Sequence, residues 1–330
     1  MTRAAWMILA ATLPLAAQPK LLVNAKLDTR SAAGGLDREF QALLASTPQP
    51  AWIAYSVPST RTMALGCEFV SHDGAWWSTG TVHLEPPDRA LILFRVAAGA
   101  LERIRALSPD CEIDAGDTPF HWLTDVQPAE SIALLAGFAT RELPLASAVG
   151  AIAVHGDPAA DRALDRFASS GQLDTLRQRA IAYLGSARGR HGFEVLKGLI
   201  ESDPDERIRT RAIAALESSK EPEAVDLLIS LSESGKDAKV RAQAVRELGH
   251  KRDPKAVAAI GAALDKDTDL AVQRAACGAL QSLPDGAGIP RLIQLARETH
   301  NQQLRRQAMG SLQNSHDPRA LAFFEDVLKR

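Results

Sequence analysis

The chain has 330 residues, of which 38 are Lys or Arg and 40 are Asp or Glu, and 46% are hydrophobic. The formal charge of −2 is spread without blocks, which excludes the clustered basic footprint that phosphate-backbone binding to nucleic acid requires. The length has room for two or three domains, and the composition is that of a globular protein.

The first residues read as an address. Arg3 supplies a positive end, Ala4 to Leu15 form an apolar run too short for a mature membrane span, and Ala16-Ala17 form a small-residue cleavage site ahead of Gln18. The competing reading is a buried N-terminal helix. A cleaved signal peptide over 1–17 implies a periplasmic or secreted protein with no integral membrane segment left after cleavage.

Residues 18–138 carry the signals of an α+β domain on an antiparallel sheet. Leu21–Val23 is expected as a short strand, Thr29–Gly35 as a loop and Leu36–Leu44 as a helix. Strands follow at Trp52–Val57, between Pro50 and Pro58, and at Thr81–Leu84, ended by Pro86-Pro87. Leu91–Val96 and Leu101–Arg105 form a hairpin about Ala97-Ala98-Gly99-Ala100, and Pro128 opens a helix over Ala129–Phe138.

Cys67 and Cys111 both fall in this domain, and in an exported protein such a pair is most simply a disulfide; free thiols or a metal pair are the alternatives. Trp76-Trp77 follows the turn-like His72-Asp73-Gly74, so one indole of the pair faces outward if the segment is extended, against the plainer reading of two core rings. The acidic residues Asp110, Glu112, Asp114 and Asp117 lack the ordered spacing of a calcium loop and read as a solvated turn. His-Glu-x-x-His, Gly-x-Ser-x-Gly, Gly-x-Gly-x-x-Gly and phosphate-loop motifs are all absent from the sequence. No catalytic residue, metal ligand or cofactor is therefore assigned.

From about residue 139 the chain follows a beat of 32 residues. Ala180, Ala212, Ala244, Ala276 and Ala308 recur in phase, with Leu176, Ile208, Val240, Val272 and Leu304 four residues before and Leu184, Leu216, Leu248, Leu280 and Leu312 four after. Apolar residues at i, i+4 and i+8 share one helix face. Asp205, Asp237, Asp269 and Asn301 stand where a side chain caps that helix. Arg177, Arg209, Arg241 and Arg305 form a second row, broken by Gln273, expected to make charge pairs along the stack. Pro222, Pro254 and Pro318 then open a second helix, replaced by Gly286 in the fifth copy. Its inner face carries Val225 and Leu228, Val257 and Ile260, Ile289 and Leu292, Leu321 and Phe324. Projected backward, Ala148, Ile152, Asp157-Pro158, Leu164 and Phe167 supply the first of six copies over 139–330. Each copy is a helical hairpin that must stack on neighbours to bury its apolar face. Cys277, in phase with Ile181, Ile213 and Val245, is expected as a buried hydrophobe. His155, His250 and His316 fall between helices and read as polar loop residues.

The pattern Val-Arg-x-x-Ala-x-x-x-Leu-Gly, best kept in Val240, Arg241, Ala244, Leu248 and Gly249, resembles HEAT repeats of the short kind found in bilin lyases. The resemblance implies a right-handed all-α solenoid whose second helices line its concave face. HEAT-built di-iron hydroxylases carry recurring His-Glu pairs, whereas no histidine here precedes a glutamate. On the implied concave face, Glu194, Asp226, Ser230, Gln294 and Asp326 alternate with small residues, a groove suited to an extended or helical protein partner. The reading is an exported non-enzymatic scaffold. The final copy carries Phe323 and Phe324 side by side, with Phe324 in phase with the core and Phe323 and Val327 placed at the outer edge for a partner or a second copy of the chain. The competing class is an enzyme or small-ligand binder with its site near Trp76, Trp77, His121 and Trp122, or a bilin-lyase-like activity.

Overall fold

A computed structural model describes residues 21–63, 65–67, 69–70, 76–77, 86–140 and 147–329. The run Ala4–Leu15, the cleavage site before Gln18, His72, His83 and the strand expected at Thr81–Leu84 lie outside the described residues. The chain divides into two compact parts between Ala160 and Asp161.

The first part orders β1 (Leu21–Ser31), α1 (Leu36–Ser46), β2 (Ala51–Pro58), β3 (Phe69–Val70), β4 (Trp76–Trp77), β5 (Arg89–Ala97), β6 (Ala100–Leu107), β7 (Glu112–Thr124), α2 (Pro128–Ala139) and α3 (Ser147–Ala153). Among the described residues the main sheet runs β1-β7-β2-β5-β6, and β3 pairs with β4 separately. The expected hairpin is β5 and β6, turned by Ala98 and Gly99, both at positive φ. Strand alternation sends Tyr55 and Phe94 to the face shared with α1 and α2, where the Phe40 ring lies 4.9 Å from Phe94 and 5.7 Å from Phe138. Ala54, Leu91, Leu93, Phe120 and Trp122 point the other way and form a second buried cluster with Cys111 and Ile113. Cys67 and Cys111 are bridged there, with Cα atoms 5.3 Å apart.

The sheet is mixed rather than antiparallel throughout, because β7 enters between β1 and β2 and runs parallel to both, while β2–β5 and β5–β6 are antiparallel. β1 continues to Ser31, through residues expected to form a loop, since β7 supplies partners as far as Ser31↔Thr124. The acidic stretch is part of β7. Its register with β1 shifts between Val23 and Ala25, where Asn24, Gly116 and Asp117 adopt positive φ. Asp114 accepts hydrogen bonds from Gly116 N (2.9 Å) and Asn24 Nδ2 (3.1 Å), so its carboxylate fastens a bulge.

α4 (Pro158–Ala168) crosses the division, and the second part continues as helix pairs: α5 (Asp174–Ala187) and α6 (Gly189–Ser202), α7 (Glu206–Ala215) and α8 (Pro222–Ser234), α9 (Ala238–Leu248) and α10 (Pro254–Lys266), α11 (Leu270–Ser282) and α12 (Ile289–Glu298), α13 (Gln302–Gln313) and α14 (Pro318–Leu328). These pairs are repeats 2 to 6; the residues of the projected repeat 1 fall on α3 and α4. First helices stack in series, α5 on α7, α7 on α9, α9 on α11 and α11 on α13, and among second helices α8 packs on α10 and α12 on α14. The in-phase alanines and leucines are buried. Asp205, Asp237, Asp269 and Asn301 cap first helices through backbone N–H groups two or three residues on, and Asp253 and Asp317 cap second helices opened by proline. The glycine of the Leu-Gly step has a steric cause: a Cβ on Gly249 would lie 2.7 Å from Ala279 Cα of the next first helix.

The arginine row pairs within repeats. Arg177 donates to Asp203 at 2.5 Å and Arg241 to Asp267 at 2.7 Å, each reaching the residue that ends its own repeat's second helix. In repeat 3 that position is Gly235, which has no carboxylate, and Arg209 keeps the carbonyl bond, to Asp203 O at 2.6 Å, that Arg241 also makes to Gly235 O. The last repeat departs from phase: Phe323 is buried and Phe324 half-buried, the reverse of expectation. α14 packs on α12 and α13, and the Phe323 ring lies 5.5 Å from the Arg297 guanidinium of α12.

Candidate interaction surface

Second helices present one exposed row. Glu194, Asp226, Ser230 and Gln294 are exposed and Asp326 is half-exposed, with Gly198, Ala258, Pro290 and Ala322 exposed among them. The charged members are tied within the stack. Arg190 contacts Glu194 (2.6 Å) and Glu223 (2.5 Å), Lys255 contacts Asp226 (2.9 Å), and Arg297 contacts Asp326 (2.9 Å). Arg291 pairs with Asp265 and donates to Gln294 at 2.6 Å. Such solvated pairs add little stability, so what they set is the chemistry of the face: alternating charge between small residues.

At repeats 4 and 5 this row meets a cleft of about 670 Å³. Pro254, Val257, Ala258, Leu283, Pro284 and Ala287 form its apolar lining, and Lys251, Arg252, Asp253 and Asp285 stand with them. The irregular turn of repeat 5 opens it. A second helix in phase with Pro254 would start at 286, but Pro284–Gly286 form a 3-10 turn with Asp285 and Gly286 at positive φ, and α12 begins only at Ile289. The missing first turn leaves Val257 and Ala258 of α10 uncovered on that side. Arg319 of repeat 6 donates to Gly286 O at 2.9 Å, and Arg252 pairs with Asp285 at 3.3 Å, so the turn is held from both sides.

Lys251 is a structural member of the wall. Its ammonium donates to the carbonyls of Leu216 (2.9 Å), Glu217 and Ser219 (3.2 Å), closing the open end of α7 and the short turn after it. Burial pulls its pKa down, and burial likewise pushes Glu247, one turn earlier, above the usual carboxylate range. Sequence reading missed this pair because nothing in the phase marks position 251.

Residues matched by the family model for HEAT repeats span 162–238 and 227–313. Residues 162–313 are HEAT repeats. No curated protein matches the chain. Three solved structures are similar. The complex of CpcE and CpcF of phycocyanin lyase from Nostoc sp. is 22% identical, with 47% of this chain and 99% of that chain covered and a TM-score of 0.36. Human deoxyhypusine hydroxylase in complex with glycerol is 15% identical, with 60% and 90% covered and a TM-score of 0.31. Aminopeptidase A of Legionella pneumophila in complex with aspartic acid is 11% identical, with 80% and 39% covered and a TM-score of 0.35; the chain thus spans well under half of that protein.

Outside the HEAT repeats, His121 and Trp122 of the alternative site face opposite sides of the sheet. Trp122 is fully buried in the cluster behind the sheet, its indole N–H without a hydrogen-bond partner among the described residues. His121, next along β7, points to the opposite face and pairs with Asp28 at 3.1 Å. Hydrogen bonding from Arg30, first, and from His121 holds the Asp28 carboxyl below its ordinary range. Trp76 and Trp77 form β4, paired with Val70 and Phe69. His155 is a correction: it is fully buried, not a polar loop residue. Its Nδ1 donates to Ala151 O at 2.7 Å, and its Nε2 meets Ser131 Oγ at 2.9 Å, which in turn meets Tyr55 OH at 2.7 Å. Serine, histidine and tyrosine in line resemble a proton relay, but all three are sealed from solvent and make a satisfied polar knot in the core. Burial pushes the Tyr55 phenol well above its ordinary pKa. Among the described residues no cluster of His, Cys, Asp or Glu is built to hold a metal ion.

Proposed function

We propose that the chain is an exported HEAT-repeat scaffold that docks a protein partner on the second-helix face of repeats 4 and 5. The observation that carries this reading is the cleft at the turns of those repeats: its apolar lining shares Ala258 with the exposed second-helix row, so an apolar anchor and a polar strip adjoin. A volume of about 670 Å³ accepts one or two large side chains. The charge pairs along α6, α8, α10, α12 and α14 extend the strip well beyond the reach of a small molecule. Interfaces of this kind gain most of their affinity from a few buried anchors and their orientation from the charged rim. Export is supported by the Cys67–Cys111 bridge, since such bonds persist in oxidising compartments, and by the apolar run ahead of Gln18.

The test is affinity capture from the envelope fraction of the source cells with wild-type protein, Val257→Asp, and Thr210→Asp as a first-helix control. A partner retained by wild type and the control and lost with Val257→Asp supports the reading. A partner held equally by all three removes this face from it. N-terminal sequencing of the protein from cells tests the export half: a start near Gln18 is expected, and an intact Met1 in the cytoplasm contradicts it.

A further inference from the structure

We propose that the outer face of the first helices, across repeats 2 to 6, is a docking surface for an anionic phospholipid bilayer. On each first helix the positions one before, and two, three and six after, the branched apolar residue lie opposite the buried stripe. Over the five repeats these positions hold seven Arg or Lys, no Asp or Glu, and no apolar residue larger than alanine. Arg207 and Lys239 stand one before, Arg274 and Arg306 two after, Arg179 and Arg211 three after and Arg246 six after, and all are exposed. The other positions are Ala, Gly, Thr and Gln. Second helices carry no such bias: α6, α8, α10, α12 and α14 hold seven basic and nine acidic residues, whereas α5, α7, α9, α11 and α13 hold eleven and three. Charges that are interspersed along the sequence are therefore sorted by the hairpin, because each repeat returns its first helix to the same layer.

Two of the seven are tied to carboxylates of the preceding repeat, Arg207 to Asp174 at 3.0 Å and Lys239 to Glu206 at 3.0 Å, and both carboxylates stand in first turns, at the rim of the face. Arg207 also meets the capping Asp205 at 2.9 Å. Arg211, Arg246 and Arg274 donate to Gln178, Gln243 and Gln303, neutral acceptors that hold each guanidinium without cancelling its charge. The composition of the face selects the occupant. Among the described residues the exposed large hydrophobics all lie off the first helices, and the hollow of about 380 Å³ between α7 and α9 is lined by Glu206, Arg207, Thr210, Arg211, Ala214 and Gln243. A protein partner takes most of its affinity from large side chains seated in apolar pockets, and this hollow is polar. Bilayer headgroups need no such seat. They form a plane of negative charge, and each Lys or Arg brought to it strengthens binding about five-fold. Charged heads on long stems, above a floor of small residues, reach one plane together, over about 40 Å for five helices packed about 10 Å apart. With no apolar wedge the contact is peripheral, so salt releases it. The cleft at repeats 4 and 5 opens on the other layer, and the lipid contact does not depend on a partner there.

Co-sedimentation of the protein purified from cells with vesicles of phosphatidylcholine holding about 30% phosphatidylglycerol, and with phosphatidylcholine alone, tests the proposal. Arg211→Glu/Arg246→Glu/Arg274→Glu reverses three outer cations, and Arg190→Glu/Lys255→Glu/Arg297→Glu, on second helices, makes the same change in net charge elsewhere. All six positions are exposed, and circular dichroism checks that both variants fold. Binding to the anionic vesicles alone, released by about 0.5 M salt, is the expected result. The first-helix variant is expected to bind about 100-fold or more weakly and the second-helix variant within about 3-fold of wild type. Wild type that stays in the supernatant with anionic vesicles overturns the proposal. So does an equal loss in the two variants, which reports net charge rather than a face. Retention on immobilised poly-glutamate without vesicle binding also overturns it and assigns the face to an acidic protein.

Discussion

Asp203→Ala probes how successive HEAT repeats are fastened. The Asp203 and Arg177 side chains are 4% and 6% exposed and 2.5 Å apart. Arg177 Nε also donates to Ala168 O at 2.9 Å, and Asp203 Oδ1 accepts from Asp205 N at 3.0 Å, so one carboxylate orders both the charge and the loop that enters the next repeat. Truncation leaves a guanidinium buried with a single carbonyl and frees a backbone N–H. Removing one member of a buried pair costs about 3–5 kcal/mol, most of it the penalty on the charge left behind. Asp267→Ala is the matched control. Its partner Arg241 sits at the same phase, 2.7 Å away, but the side chains are 10% and 20% exposed, so water reaches the orphaned guanidinium and the expected cost is about 1–2 kcal/mol. At about 2–4 °C per kcal/mol for a part of this size, the thermal midpoint is expected to fall by about 10 °C for Asp203→Ala and about 4 °C for Asp267→Ala. Thermal unfolding followed by circular dichroism gives both numbers, and amide exchange at Asp205 reports whether the loss is local to repeats 2 and 3. Equal losses in the two variants, or losses under about 1 kcal/mol in both, would refute the assignment of burial as the cause.

Three further outcomes are expected. Replacing Cys67 and Cys111 by serine opens a loop of sequence separation 44, for which the chain-entropy relation gives about 4 kcal/mol, read as a lower denaturant midpoint in non-reducing buffer; no change would exclude a bridge in the purified protein. Cys277 is expected to resist alkylation in the same protein, its thiol pushed up to about 11 by burial, and rapid labelling of the folded chain would contradict its place in the core. Acid titration should leave stability flat down to about pH 4 and lower it toward pH 2: Asp267 and Asp317 are held below the ordinary carboxylate range by hydrogen bonds from Arg241 and Arg319, Asp317 at about 2, so the unfolded chain takes up protons first as pH falls. Urea midpoints at several pH values check the direction, and a midpoint that rises between pH 4 and pH 2 would reverse it.

The helical array was legible because it repeats. A residue type at one phase is ambiguous, but alanine five times at a fixed interval, with a capping Asp or Asn ahead in four copies and proline after in three, specifies a start, a buried stripe and a turn for the helix pairs. Cys277 could be placed by phase alone, and so could the capping role of Asp237. The N-terminal sheet was only partly legible. β7 carries Asp114 and Asp117, which read as a solvated turn; they sit at the bulge where the register of β7 on β1 shifts, and only pairing with that distant strand shows it. The parallel order of β7 has the same cause, since no local pattern records which strand lies beside which. For His155, loop position suggests exposure, whereas its ring is held by Ala151 O of the preceding turn and by Ser131 of α2. The cleft has a trace in the sequence, Gly286 where proline is due, yet its consequence is geometric: α12 starts late and uncovers Val257 and Ala258. At repeat 6 phase marks Phe324 as the core residue, whereas Phe323 is the buried ring, packed toward Arg297 of α12.

A photo-crosslinking amino acid placed at Ala258, at Ser230 and, as a first-helix control, at Thr210 asks most directly whether the second-helix face of these HEAT repeats takes a protein. Irradiated in living source cells, Ala258 and Ser230 are expected to give the same discrete adduct, a single partner mass absent from the Thr210 lane and diminished by Val257→Asp. Adducts of equal strength from all three positions, or none from Ala258 while the protein sits folded and abundant in the envelope, would contradict a partner-binding role for this face.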